Sequence, residues 1–243
     1  MQKFWINLGT LLAVIVVNAL ANILPINGLQ TGEISDLQNV LFTPAGYVFS
    51  IWSLIYILLI VWVLRQWPEH RRDLGIYVHT HTLFWLSNIL NIAWILLWHY
   101  QLFLGSVIVM IALLLTLITL YKIIQKRALS KLDLWPFSVY LGWISVATIA
   151  NIAYYLTYIG WGGFGISDVV WTILLLIVAL LLATWFRYTQ NDLVYPLVFI
   201  WAIIGIAVRN QAEAPIVASA AYVVVGVLVV MMFIARKHKE VER

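Results

Sequence analysis

The chain has 243 residues, of which 64% are hydrophobic, 14% aromatic and only 10% charged, with a formal net charge of +4 and no cysteine. A mean hydropathy of +0.97 and so few charges lie far from the roughly 25% charged residues of a soluble globular domain and exclude that class. The missing thiols exclude disulfides, thiolate metal sites and thiol nucleophiles. An all-α integral membrane protein with many spans is what remains.

A hydrocarbon core about 30 Å thick takes roughly 20 apolar residues in a helix. Eight uncharged runs of that kind follow one another: residues 4–24, 44–64, 82–98, 102–121, 134–158, 169–186, 193–208 and 214–235. Each reads as a helix, because backbone polar groups in lipid must be satisfied within the segment. The seventh is the weakest, being short and carrying Pro196. The first imitates a secretory signal, with Lys3 before it and Ala19-Leu20-Ala21 near its end, but its apolar run continues through Ile23 and it reads as an uncleaved span. With the N-terminus inside, every Lys and Arg except Arg209 falls in an inner segment, as positive residues do in cytoplasmic loops. Both termini are therefore expected in the cytoplasm. The same asymmetry accounts for the net charge and excludes nucleic acid as a partner, which would want a basic face on a soluble domain.

Between the first two spans lies LPINGLQTGEISDLQNVLF, residues 25–43, longer than a minimal connection and therefore either a solvated connector or a functional loop. Pro44 and Gly46 open the second span, where a proline suits the first helical turn. Phe49, Trp52 and Tyr56 then recur at helical spacing on one face. Asn88, Asn91 and Trp94 do the same in the third span, and Tyr140, Trp143, Ala147 and Asn151 in the fifth. An amide in hydrocarbon needs a partner, so these stripes are expected to face protein, as helix-packing residues or as the walls of a ligand site. His99 reads as an interfacial residue at the outer end of the third span, and His79 and His81 are too close in sequence to share a helix face.

GWGGFGISD, from Gly160 to Asp168, follows a span rather than a strand and lacks a following Lys-Ser/Thr, so it reads as a flexible outer loop and not a phosphate loop. Arg209, Asn210, Gln211 and Glu213 gather on the same outer side as the long loop, a solvated turn also placed to cap that loop or to meet a ligand's carboxylates. The terminal ARKHKEVER reads as a cytoplasmic anchor to anionic lipid. The chain carries no HExxH, nucleophile elbow, Walker sequence or acidic pair within a span, and no ionisable residue at mid-membrane depth. An enzyme, a metal site and an ion-coupled carrier are all disfavoured on these grounds, and no obligatory cofactor is expected.

Three pieces in register resemble the tryptophan-rich sensory proteins, the translocator-protein or TspO/MBR family. They are P-x-G-x-x-F-x-x-W-x-x-x-Y at Pro44, Gly46, Phe49, Trp52 and Tyr56; L-N-x-x-W at Leu90, Asn91 and Trp94; and Y-x-x-W-x-x-x-A-T-x-x-N at Tyr140, Trp143, Ala147, Thr148 and Asn151. The resemblance covers residues 1–158 and implies a five-helix ligand-binding bundle, which residues 159–243 extend by three transmembrane helices and the basic tail. It further implies a long first loop closing over a pocket for a porphyrin, haem or similar flat hydrophobe, with homodimers common. On that reading Phe42, Pro44, Gly46, Phe49, Trp52, Tyr56, Asn88, Asn91, Trp94, Tyr140, Trp143, Ala147 and Asn151 contact the ligand.

The departures sharpen it. Phe42 and Ile152 stand where tryptophans accompany tetrapyrrole degradation in the family, Ala45 and Val139 where prolines are common, and the sterol-recognition pattern is missing from the end of the fifth span. Binding is therefore expected rather than degradation. The functional expectation is a sensor or receptor in a bacterial cell membrane, in contact with membrane lipid and a small hydrophobic ligand. The alternative is a transporter or permease component for an uncharged or hydrophobic solute.

Overall fold

The structure is a computed structural model that describes residues 1–24 and 26–234, and regular structure among them is entirely helical. The basic tail lies outside the described residues. Eleven α-helices follow in order: α1 (Gln2–Ile23), α2 (Thr31–Asp36), α3 (Ile51–Leu64), α4 (Glu69–Arg72), α5 (Gly75–Val78), α6 (His81–His99), α7 (Phe103–Arg127), α8 (Lys131–Tyr158), α9 (Asp168–Gln190), α10 (Val194–Asn210) and α11 (Pro215–Ile234). Short 3-10 turns occupy Ile26–Gly28, Gly46–Ser50 and Gly163–Gly165.

Among the described residues seven helices are long and apolar enough to cross a membrane: α1, α3 with its leading 3-10 turn, α6, α7, α8, α9 and α11. The eighth expected span, α10, is apolar but has only 17 residues, about 25 Å at 1.5 Å per residue. It corresponds to the run that carries Pro196.

The chain forms two compact units. The first comprises Met1–Leu37 and Ser50–Tyr155. Here α1 buries Phe4, Asn7, Leu11, Val14, Asn18 and Ala21, a stripe of three- and four-residue steps, and packs on α6 and α3. The long helix α8 is buried on every side from Pro136 to Val146, so this stretch is a core helix rather than a lipid-facing one. Trp62 is enclosed by Tyr77, Phe84 and Phe137, with ring centroids 4.9, 5.0 and 5.0 Å away.

One end of this unit is closed by charge. The fully buried Asp133 pairs with Arg71 at 2.8 Å and Arg65 at 3.3 Å, while its other oxygen accepts the Leu129 and Ser130 N–H groups and the Ser130 hydroxyl. Asp133 thereby caps α8 and ties two arginines from the connection after α3 to it. Burial pushes the Tyr77 phenol above its ordinary value, against the opposing pull of its hydrogen bond from Arg71.

The second unit comprises Gln38–Phe49 and the chain from Leu156 onward. In it α9, α10 and α11 pack on one another, with Phe186 stacked on Tyr195 at 3.7 Å. The segment 38–49 lies along α10: Ala45 N–H donates to Gly205 O (3.1 Å), Trp201 Nε1 to Val48 O (3.1 Å) and Asn210 Nδ2 to Leu41 O (2.9 Å). This displaces the start of the second span from its expected position. Pro44 and Ala45 precede the helix, a 3-10 turn runs from Gly46, and α geometry begins only at Ile51, with the Ala45 N–H held on Gly205 O. Gly163–Gly165 also differs from expectation in being ordered. Trp171 Nε1 donates to Gly163 O at 2.9 Å, and Trp161 meets both Phe164 and Trp171 edge-on or tilted at 5.3 Å.

Candidate functional site

The stripes of α3, α6 and α8 converge on Trp52. Its indole stacks on Tyr56 (5.7 Å) and Trp94 (6.3 Å) and meets Tyr140 (6.0 Å) and Trp143 (6.2 Å) edge-on. Four ring contacts of this kind contribute about 0.5–1.5 kcal/mol each beyond area burial. Periodicity brings these residues onto one face of each helix, which sets Tyr140 against α3 and α6 and Trp143 against α3.

Amides order the cluster. Asn91, fully buried, donates to the Tyr140 hydroxyl at 2.8 Å and accepts from Asn18 of α1 at 3.0 Å. Trp94 Nε1 donates to Asn151 Oδ1 at 3.2 Å, and Asn151 and Ser106 of α7 are hydrogen-bonded to each other. The expected partners for amides in hydrocarbon are therefore present, each bond contributing about 0.5–1.5 kcal/mol net and more if left unmade. The Tyr56 hydroxyl is buried beside the Asn91 amide, outside ordinary hydrogen-bond geometry. Asn88 donates instead to Thr10 of α1 at 3.2 Å. Ala147 is half-buried on the same α8 stripe.

The first half of the long loop is fastened beside this cluster. Trp94 stacks on Trp98 at 6.1 Å, Trp98 Nε1 donates to Thr31 O at 3.3 Å, and the Tyr154 hydroxyl donates to Ile34 O at 2.8 Å. His99, expected at the interface, is instead buried, because both ring nitrogens hold the loop: Nδ1 lies 3.2 Å from Ile26 O and Nε2 2.9 Å from the Thr31 hydroxyl. Since Ile26 O only accepts, Nδ1 carries the hydrogen of that contact. Asn27, in left-handed backbone geometry at φ 56°, donates to His99 O at 3.1 Å.

Of the expected contact residues, Trp52, Tyr56, Asn91, Trp94, Tyr140, Trp143 and Asn151 form one connected cluster. Phe42, Pro44, Gly46 and Phe49 belong to the other unit, with Phe42 and Pro44 buried and Gly46 exposed. Asn18, Ser106, Trp98 and Tyr154 were not singled out from sequence. Trp98 and Tyr154 continue the α6 and α8 stripes by four and three residues, which was a legible signal; Ser106 offered none. Among the described residues no group of three His, Asp or Glu side chains is gathered as for a metal ion. The chemistry on offer is flat apolar faces with a few oriented amides and hydroxyls.

An all-helical integral membrane protein with an aromatic and amide cluster between its helices is thus the class defined by fold and site. The family pattern described as TSPO-like protein matches residues 4–234, and the chain belongs to that family. The match runs through α9, α10 and α11, so these helices fall within the family pattern, whereas the motif-bearing pieces alone placed the resemblance in residues 1–158. No curated protein and no solved structure matches the chain.

Proposed function

We propose that this protein is a membrane sensor that binds a flat hydrophobic ligand of the tetrapyrrole class against the Trp52 cluster, beneath the loop carrying α2. The convergence of three aromatic and amide stripes on one indole carries the reading. Macrocycles are bound by stacking on planar side chains, with a few polar groups fixing their edges, and Trp52, Trp94 and Trp143 offer the faces while Asn91, Tyr140 and Asn151 offer the polar atoms. Anchoring of α2 through Trp98, next in the stack after Trp94, gives ligand entry a route to the loop. That linkage suits a sensor, whose ligand must bind two loop arrangements with different affinity. Phe42 and Ile152 stand where tryptophans are associated with degradation in the family, so the reading is one of binding.

The test is titration of the purified protein with protoporphyrin and with haem, following the ligand's absorbance. Trp52→Phe and Asn91→Ala are each expected to weaken binding at least about tenfold, the loss of about 1.4 kcal/mol of stacking or hydrogen bonding. If neither substitution weakens it threefold, the site assignment fails. Flux of the bound compound in liposomes would replace sensing by transport.

A further inference from the structure

Arg187 stands out among the charged residues of the second unit. It lies in the last turn of α9 and is only 3% exposed. Its one side-chain hydrogen bond among the described residues runs from Nη1 to Asn191 Oδ1 at 2.7 Å, and its Nε is buried without a partner. Arg65 and Arg71 pair with Asp133 and Arg72 with Glu69, and Arg187 is in none of these ion pairs. Unlike a carboxylate or an amine, a guanidinium does not escape burial by giving up its charge. The helix dipole at a C-terminus offsets only part of the desolvation cost.

A second, independent observation lies one turn earlier on the same face. The Thr184 hydroxyl is buried without a partner, although the other threonines of α9, Thr172 and Thr189, both return their hydroxyls to the carbonyl four residues back. Thr184 has the same option and does not use it. Two buried polar groups thus lie at i and i+3, a cation and a hydroxyl, on one face.

We propose that Arg187 and Thr184 form a binding site for an oxyanion of the phosphate class at the end of α9. A guanidinium edge matches two oxygens of such a group through parallel N–H donors, and the Thr184 hydroxyl supplies a third. Exposed Asn191, held at φ 53° in the left-handed C-cap position, keeps the guanidinium turned toward the helix end. The level in the membrane suits the ligand. A helix of 23 residues is about 35 Å long against a hydrocarbon core of about 30 Å, which places its last turn among the headgroups. Trp185 and Tyr188, 60% and 40% exposed, are the side chains that mark that level. The phosphate of an anionic phospholipid and free phosphate share this chemistry.

The experiment uses the full chain, purified and delipidated in non-ionic detergent, with thermal unfolding followed against added phosphatidylglycerol or inorganic phosphate. At least one of the two is expected to stabilise the wild type. Arg187→Gln is expected to lower that apparent affinity at least about tenfold, and Thr184→Val about fivefold. A response to phosphatidylglycerol alone assigns the lipid headgroup, and a response to phosphate alone assigns a soluble anion. Should Arg187→Gln not fold, Thr184→Val carries the test, since it keeps both shape and charge. Unchanged affinity in the foldable variants overturns the proposal. So does a wild type indifferent to both anions.

Discussion

Gly205→Ala is expected to loosen the segment 38–49 from α10, with the sign of its effect set by one neighbour. A Cβ at Gly205 would fall well inside van der Waals contact with Val48 Cγ2 and 3.2 Å from Pro44 Cβ. Val48 is fully buried and β-branched, so it cannot swing aside. Overpacking of this kind costs about 1–3 kcal/mol, against a gain of about 1 kcal/mol for alanine over glycine inside a helix. The wild-type background should therefore lose up to about 2 kcal/mol. In a Val48→Ala background the clash with Val48 is gone, and the same substitution should be neutral or stabilising, a coupling of about 1–3 kcal/mol. Thermal unfolding of the four proteins in detergent measures the coupling. Amide exchange at Ala45, whose N–H donates to Gly205 O, reports the local loosening separately. Equal effects of Gly205→Ala in both backgrounds, with Ala45 exchange unchanged, would refute the reasoning.

Asp133→Asn should cost about 2–4 kcal/mol in thermal or chemical unfolding; Arg65 and Arg71 keep some solvent contact, at 27% and 16% side-chain exposure, which holds the loss below that of a wholly buried pair. His99→Phe removes both ring hydrogen bonds to the loop and is expected to speed proteolysis and amide exchange across residues 26–36, while exchange in α7 stays as it was. Trp94→Phe leaves the Asn151 carbonyl without its indole donor and should destabilise by about 1–2 kcal/mol. The cysteine-free chain also permits a direct check of orientation. Gln101→Cys should react with a membrane-impermeant maleimide in intact cells and Leu129→Cys should not, and the reverse pattern would invert the expected topology.

The sequence by itself determined the helical membrane class, where most of the long helices run and which faces they bury. Hydrocarbon leaves a backbone of this composition no alternative to helices, and amides at helical spacing must meet protein, so the Asn91 and Asn151 stripes were legible before any coordinates. Two contacts of the long loop were not. His99 looked interfacial because its ring partners, Thr31 and Ile26 O, are some seventy residues away in sequence, one of them a backbone carbonyl that no side-chain pattern reveals. Residues 25–43 read as one lid, yet the structure assigns residues up to Leu37 to the first unit and 38–49 to the second. What splits them is Gly205, which lets Pro44 and Val48 approach α10, together with the carbonyls that Trp201 and Asn210 claim. Arg187 and Thr184 were likewise silent, an ordinary basic residue and an ordinary threonine near a helix end. Local periodicity fixes which face of a helix turns inward, because it depends only on neighbours along the chain. Which side chain finds a partner there, and which is left without one, depends on residues brought together by packing, and only the tertiary structure decides it.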